Sequence, residues 1–505
     1  MLLTVLVLLP ALAGLVLVAA RVPDRVASWA WVATSSGVVA LVAWIWWGFD
    51  AAGGVQYDVK VRWIPTVDAS YHVGVDGLSL PLLALTAVLF WCCAVWSLRG
   101  TPRPRSHAAL FLLLQTTCLG TFAALDLILF FLFFDLSIVA MYFVIAGWGH
   151  GDRRRSALTF FLYTFLGSLA LLLGFIGLFL GSEPRTFDIV RLVEDPPWAG
   201  QDATASWVLL ALFVGLAVKT PLFPFHTWLP PAHTDAPAEG SAVLAGVLLK
   251  LGTFGFVRIV MPTLPEAWQR WGTWIVVVGV VSVLWGALVA LAQDDLKRMI
   301  AYTSVNHMGY VLLGLGAVGV LAREDVEAAD AAGAAGVAAT GAVVQMVSHG
   351  LLTGALFLVA GVLWNRGGSY AFARWAGLGR AVPGFAVLLS VAAFGSLGLP
   401  GLSGFVAEFQ IFAGSLAAVP VAVTIAVVGI LLTAGLFLRA LQRLLTGDLR
   451  VPEGLDATAV GDVTTTERVA VVPLLALSVA VGLLPWLLVD VVGPAADGLV
   501  ALVAR

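Results

Sequence analysis

Long apolar runs separated by short polar segments extend along nearly the whole chain. Each run has about 20 residues, which as a helix is long enough to cross about 30 Å of hydrocarbon. Lipid offers the backbone no hydrogen-bond partner, so runs of this length favour helices over a barrel. The pattern therefore predicts an all-α integral membrane protein with about fourteen transmembrane helices. Their approximate limits are 3–20, 27–48, 78–97, 107–125, 127–147, 156–180, 206–229, 239–260, 271–292, 300–320, 338–364, 382–417 (one long broken span), 418–441 and 469–493.

Composition narrows the kind of protein further. Of the 505 residues, 60% are hydrophobic and 11% are charged. Such a composition excludes a series of soluble domains, and it leaves no soluble domain large enough to hold a cofactor. No basic and aromatic surface for nucleic acid is present. We therefore expect any chemistry of this chain to lie within the membrane.

Three sequence features suggest a metal, iron–sulfur or nucleotide site, but each lacks residues or a context that such a site requires. Cys92, Cys93 and Cys118 lie in apolar spans without a C-x-x-C, which argues against an iron–sulfur cluster or zinc ribbon. The G-x-G-x-x-G match at 314–319 lies inside a membrane helix and follows no strand, so it is not a nucleotide-binding fingerprint. His226 and His233 suggest a metal site, but no cysteine or carboxylate cluster completes it, and a loop role is favoured.

The basic residues indicate how the helices are oriented. With fourteen spans, the loops after odd-numbered helices hold 17 Lys and Arg residues, whereas the other face holds 8. Basic loops concentrate on the cytoplasmic side of membrane proteins. We therefore expect a multi-pass membrane protein with both termini on the extracytoplasmic side.

A few ionisable residues fall deep inside the predicted spans. Each costs at least a few kcal/mol there unless it has a partner or water, which makes such residues candidates for function. The histidines among them could also be packing residues, the acid could be a helix-packing hydrogen bond, and a lysine could reach the interface along its stem. The candidates for proton transfer are Asp135, Lys219, Lys250, His307, His349 and Glu408.

Two of these residues lie beside breaks in their helices. Pro221 and Pro224 interrupt the span that carries Lys219, and the segment GLPGLSG (398–404) interrupts the span that carries Glu408. Broken helices are tolerated in membranes where they are buried in protein or line a water-filled cavity. In corresponding halves of a chain they indicate the working site of a transporter.

The order of helices and breaks predicts two inverted five-helix repeats, helices 4–8 and 9–13. The broken helix is the fourth in each repeat, helix 7 in the first and helix 12 in the second. An odd number of helices makes the second repeat begin on the opposite face. We therefore divide the chain into an N-terminal three-helix segment (1–106), a first repeat (107–265), a second repeat (266–445) and a C-terminal loop with the last helix (446–505).

Five segments carry a resemblance to a known family. They are GVDGLSLPLLALTAVL (74–89), RSALTFFLYTFLGSLALLL (155–173), KTPLFPFHTWLPPAHTDAPAEGSAVLAGVLLKLGTFGFVRI (219–259), DDLKRMIAYTSVNHMGYVLLG (294–314) and SLGLPGLSGFVAEFQIF (396–412). In these segments the chain resembles the antiporter-like, proton-conducting membrane subunits of respiratory NADH-quinone oxidoreductase (complex I), and among them the M type. The L and N types, and the D type of the multisubunit Na+/H+ antiporters, share these blocks.

The resemblance implies a role for each buried charge. The acid of the fifth helix, Asp135, would pair with Lys219. Lys250 and the two histidines would carry protons along the midplane, and the glutamate of the twelfth helix would face the exit. The family usually has glutamate at position 135, so the shorter aspartate is expected to weaken the pairing with Lys219 or to need a water between them. A carboxylate stabilises a buried ammonium, so separating the two would favour proton release from Lys219.

The resemblance also implies partners. The neighbours would be other complex I membrane subunits, especially the L and N types on either side. The FMN, iron–sulfur clusters, NADH and quinone would belong to partner subunits, with no cofactor or metal in this chain. Two other interpretations stay open: a D-type component of a multisubunit Na+/H+ antiporter that works without redox partners, and a mainly structural membrane subunit.

Overall fold

The computed structural model of the protein describes residues 1–323, 328–455 and 460–505. Within that part of the chain, fourteen helices are long and apolar enough to cross a membrane. This confirms the predicted all-α membrane fold. The helices are α1 (Leu2–Ala19), α2 (Asp24–Trp47), α3 (Leu80–Ser97), α4 (Pro104–Ala123), α5 (Leu127–Trp148), α6 (Arg153–Gly181), α7 (Ile189–Glu194), α8 (Asp202–Lys219), α9 (Leu229–Asp235), α10 (Ala238–Thr263), α11 (Pro265–Leu291), α12 (Leu296–Leu321), α13 (Ala328–Gly367), α14 (Leu378–Ala381), α15 (Pro383–Ser396), α16 (Ser403–Ser415), α17 (Pro420–Leu445), α18 (Thr465–Leu483) and α19 (Trp486–Val503).

The last predicted span, 469–493, has the wrong limits. The structure has α18 and α19 there, with a turn at Leu484 and Pro485 between them. Proline has no backbone N–H and begins a helix readily, so it ends one helix and starts the next. The pattern missed this because both helices are apolar throughout.

Helix α19 lies across one end of the bundle. Gly77, just before α3, is so close to α19 that an added Cβ would lie 2.2 Å from the carbonyl oxygen of Val491. At the other end of α19, Gln269 Nε2 donates to Val503 O at 2.6 Å. Arg505 Nη1 reaches Val193 O at 3.5 Å. Because these partners all belong to loops or helix ends on the same face, α19 runs along that face rather than through the bundle.

A β-hairpin lies on the same face, and the hydrophobic pattern did not predict it. Strands β1 (Gln56–Ile64) and β2 (Ala69–Val75) pair antiparallel, with Lys60 opposite His72. Asp188, almost fully buried, anchors the hairpin by accepting from His72 Nδ1 at 2.9 Å and from the Lys60 ammonium. The second ring nitrogen of His72 lies 2.9 Å from Asp58 Oδ1.

At the opposite end of the bundle, one buried carboxylate links the ends of three helices. Glu467, at the start of α18, accepts from Arg99 Nη1 at 2.9 Å and from Arg366 Nη2 at 2.7 Å. It also completes a capping box with Thr464, whose backbone N–H donates to Glu467 Oε2 at 2.8 Å. This clamp joins the ends of α3 and α13 to the start of α18.

The buried centre of the bundle consists of α10, α12 and α13, whose most apolar segments are almost entirely buried. Surrounding helices such as α1, α6 and α17 expose apolar side chains outward, as lipid-facing helices do. The division of the chain at residues 106, 265 and 445 stays a prediction. The inverted relation of the two halves stays a prediction.

Candidate functional site: a row of buried charges

Lys250 lies at the centre of α10 and is fully buried. Five-residue π-helical segments flank it, at Leu244–Leu248 and at Phe256–Val260. A π turn displaces one backbone carbonyl from the regular pattern and is found frequently at functional sites. Here Ala245 O is free to turn toward the ammonium, and Lys250 Nζ donates to it at 2.5 Å.

Lys250 also contacts a residue of α13. Its Nζ lies 2.5 Å from His349 Nδ1. The other ring nitrogen of His349 is buried and has no hydrogen-bond partner among the described residues. The lysine and the imidazole can therefore exchange a proton directly, with the far side of the ring available for the next step.

The next group in the row is His307 on α12. Its ring centroid lies 5.3 Å from that of His349. His307 Nε2 is placed to donate to Ser396 O at 3.0 Å, and the same nitrogen lies 3.9 Å from Glu408 Oε1. The structure therefore brings four of the six predicted residues into one line: Lys250, His349, His307 and Glu408.

A small cavity lies within this line. Its volume is about 10 Å³, room for roughly one water molecule. Polar groups of His349, Gln345 and Ser396 that have no hydrogen-bond partner in the described chain face it, together with His307 and Glu408. A water at this position would have the several polar partners that a buried water needs.

The second predicted break positions Glu408. Helix α15 ends at Ser396 and α16 begins at Ser403, and the turn between them includes Gly398 with φ of +81°. An added Cβ at Gly398 would lie 2.6 Å from Glu408 Oε2. A side chain there would therefore be strained by its backbone and would also displace the carboxylate. The break thus makes room for the acid that ends the row.

Lys219 lies at the last residue of α8, where the first predicted break begins. It is 2% exposed. Its Nζ donates to Ser137 Oγ at 3.1 Å and lies 4.6 Å from the centre of the Phe134 ring. Pro221 and Pro224 follow in the non-helical segment before α9, as the sequence pattern predicts.

Asp135 and Lys219, both within the described residues, do not form the direct ion pair that the resemblance implies. Asp135 Oδ1 is buried and has no hydrogen-bond partner in the described part of the chain. The lysine approaches the face of α5 that carries Phe134 and Ser137, which lie three residues apart and so on one side. Asp135 is rotated about 100° from Phe134 around the helix axis. In the structure, the Lys219 ammonium therefore donates to a neutral hydroxyl, that of Ser137, and not to a carboxylate.

A close helix contact links the Lys219 region to the Lys250 region. Thr220 packs against Gly252 of α10, where an added Cβ would lie 2.4 Å from Thr220 Oγ1. Thr220 directly follows Lys219, and Gly252 belongs to the same helical turn as Lys250, so the broken end of α8 lies beside the middle of α10. Only glycine permits this approach.

The sequence did not single out Ser137, Ser396 or the π segments. Ser137 stands two residues from a residue that was predicted, which is the only signal in the sequence for it. Ser396 acts through its backbone carbonyl, which any residue type would supply. His226, in the broken segment, accepts from Trp285 Nε1 at 3.0 Å and takes no part in the row.

Known proteins show the same sequence pattern and fold. Residues 124–433 match the family described as "NADH:quinone oxidoreductase/Mrp antiporter, TM". NADH-quinone oxidoreductase subunit M of Rhodobacter capsulatus is 37% identical over 483 residues, which is 93% of this chain and 90% of that protein. A chain of respiratory complex I from Thermus thermophilus superposes with a TM-score of 0.87 at 28% identity, over 100% of both chains.

The fold is also shared beyond complex I. A chain of the Mrp complex from Dietzia sp. DQ12-45-1b superposes with a TM-score of 0.86 at 23% identity, over 100% of both chains. At that identity the likeness concerns the fold alone. The match to the family over most of the chain, and the identity to a curated subunit M, show that this chain belongs to the NADH:quinone oxidoreductase/Mrp antiporter family of membrane subunits.

Proposed function

We propose that this chain is the antiporter-like, proton-translocating M-type subunit of an NADH-quinone oxidoreductase. The identity of 35% to 37% to curated M subunits over more than nine tenths of the chain supports the assignment. The observation that carries the proton-translocating role is the row of buried groups from Lys250 through His349 and His307 to Glu408. Such groups are costly in a membrane interior and are retained where protons or ions move.

The row can pass a proton by short steps. Lys250 and His349 are in hydrogen-bond contact, and the steps to His307 and on to Glu408 are short enough for one bridging water. Since each group changes the electrostatics of its neighbour, the protons belong to the row as a whole. Glu408 ends the row at a broken helix, where freed backbone groups provide polar lining.

Lys219 supplies the step that the driving reaction would control. When its ammonium pairs with Asp135, the charged form is stabilised, and when it moves to the neutral Ser137 hydroxyl that stabilisation is lost. The separated arrangement, which the structure has, favours proton transfer toward Lys250. Re-forming the pair would load the lysine again. The break at Pro221 and Pro224 ends α8 at Lys219, where the long lysine side chain can change between the two acceptors.

The partners follow from the same assignment. Other membrane subunits of the complex, with L- and N-type subunits on either side, would flank this chain in the inner membrane. The FMN, iron–sulfur clusters and quinone site would lie in partner subunits. The basic loops support a cytoplasmic position for the clamp end and an extracytoplasmic position for both termini.

The experiment compares Lys219→Ala and Lys250→Met with the wild type in the intact complex. NADH-driven proton pumping into inverted membrane vesicles and NADH:quinone turnover are measured together, with the amount of assembled complex as a control. We expect both variants to assemble and to lose most of their pumping. Full coupled turnover in Lys219→Ala would refute the assignment of the switch.

The same preparation separates the alternatives. A Na+/H+ antiporter without redox partners would show no NADH-driven, quinone-dependent activity in the purified complex. A structural subunit would lose assembly on charge-neutral replacement, while the assembled remainder kept its protons pumped per electron. A proton-translocating subunit keeps assembly and loses that stoichiometry.

A further inference from the structure

A second polar cluster lies at the clamp end of the bundle, apart from the row that runs from Lys250 to Glu408. A cavity of about 220 Å³ lies between the loops that follow α3, α5 and α13 and the start of α10. These are loops on the face that carries most of the basic residues. Its wall includes both polar and aromatic side chains: Arg99, Trp148, His150, Glu239, Trp364 and Tyr370.

Glu239 stands at the inner wall of this cavity, in the first turn of α10. Its side chain is 8% exposed, and Oε1 lies 3.1 Å from Nε2 of His107, whose side chain is 1% exposed. Aromatic rings hold the imidazole in place, with Phe111 at 4.6 Å and Trp148 at 5.2 Å between centroids. A carboxylate and an imidazole in contact form a pair that can hold or release one proton at little cost.

The other polar groups near the cavity have different partners. Burial and the charge of Lys297 lower the pKa of His150 to about 3, so that imidazole stays neutral at physiological pH. Lys297 Nζ donates to Ala236 O at 2.5 Å. Arg99 is bound to Glu467 and stays charged. Glu239 and His107, in contact at 3.1 Å, thus form an acid–base pair at the inner wall of the cavity.

A further buried imidazole lies between the cavity and the row. His233 is fully buried, and neither of its ring nitrogens has a hydrogen-bond partner among the described residues. Its ring stacks on Phe357 of α13, with 4.6 Å between centroids. Along α13, Phe357 is four residues from the cavity residue Gly361 and eight residues from His349, or about 6 Å and about 12 Å of helix rise. His233 thus occupies the depth between Glu239 and Lys250.

We propose that Glu239, paired with His107, takes up protons from the basic face and delivers them by way of His233 to Lys250 and His349. The proton enters the cavity from water, binds the carboxylate–imidazole pair, and leaves it inward as the next one arrives. No group is oxidised or reduced, and no bond other than those to the proton changes. This inference rests on the proposed function, because an uptake site has a use only if the row conducts.

The test uses the intact complex in detergent, where no gradient opposes turnover and NADH:quinone activity reports the proton cycle. Glu239→Gln keeps the shape of the side chain and removes the exchangeable proton. We expect turnover to fall by about tenfold, below the usual range for a lost proton-transfer group because water in the cavity offers a slower route. Glu239→Asp should retain most of the activity.

Rescue separates proton transfer from a structural role. Glu239→Ala leaves space for a small carboxylate, so added formate should restore a large part of its turnover, and it should not affect Asp294→Asn, a matched exposed carboxylate paired with Arg443 on the same face. Wild-type turnover in Glu239→Gln would overturn the inference. So would a loss of turnover in assembled Glu239→Ala complex that formate does not restore.

Lys250→Met, measured in parallel, distinguishes failure of the uptake site from failure of the proposed function. If that variant is inactive while Glu239→Gln is fully active, only the uptake site is refuted, whereas an active Lys250→Met refutes the row itself.

Discussion

The hydrogen bond between Lys219 and Ser137 provides a sharp test of the proposed switch. Ser137→Ala removes the hydroxyl that accepts from the ammonium at 3.1 Å in the separated arrangement. It leaves Asp135, Lys219 and the backbone in place. The substitution should therefore weaken one of the two positions of the lysine without touching the other.

The size of the effect follows from the contacts. A hydrogen bond to a charged group contributes about 1.5–3 kcal/mol. The lower end applies here, because the Phe134 ring remains 4.6 Å from the ammonium and continues to attract it. Since 1.4 kcal/mol corresponds to a factor of about ten, the ratio of the separated to the paired arrangement should fall roughly tenfold. We expect proton pumping and NADH:quinone turnover of Ser137→Ala to fall by a similar factor.

Ser97→Ala is a matched control. Ser97 is also buried, and its hydroxyl bonds to the carbonyl three residues earlier, as that of Ser137 does, but among the described residues it has no hydrogen bond with a lysine. Both variants should assemble to the same amount. If Ser137→Ala pumps at the wild-type rate over the whole range of NADH concentrations, the hydrogen bond to Ser137 has no part in proton transfer. The proposed alternation of Lys219 between Asp135 and Ser137 is then wrong.

Three further predictions concern the supports of the site. Glu467→Gln should lower the free energy of unfolding by about 2–3 kcal/mol, less than for a fully buried ion pair because its two arginines are partly exposed, and the complex should dissociate at a lower temperature. Gly252→Ala should cost about 1–3 kcal/mol through the clash with Thr220 and should reduce pumping, whereas Gly435→Ala, which points into open space, should do neither. Burial alone would raise the pKa of Asp188, but the hydrogen bonds from His72 and Lys60 outweigh it and hold that pKa well below its usual range. The hairpin should therefore stay docked above about pH 4 and become sensitive to added protease as the pH falls further, and Asp188→Asn should lose this dependence.

Much of the fold can be predicted from the sequence. Apolar runs of span length specify helices because lipid leaves the backbone no other partners, and prolines mark the breaks because they cannot donate. The same reasoning failed for α19, whose residues are as apolar as those of a span. Its position depends on contacts with Gly77, Gln269 and Val193, which are distant in the sequence. The hairpin was missed because its anchor, Asp188, lies far along the chain from both strands.

The candidate site divides in a similar way. The sequence by itself determined which residues are chemically exceptional, since a lysine, histidine or carboxylate in an apolar helix is costly wherever it points. Only the tertiary structure decided which of them meet. It placed Lys250, His349, His307 and Glu408 in one line and turned Lys219 to Ser137 instead of Asp135. The reason is that hydrogen bonds and proton transfer depend on distances of a few ångströms between different helices, and helix packing sets those distances.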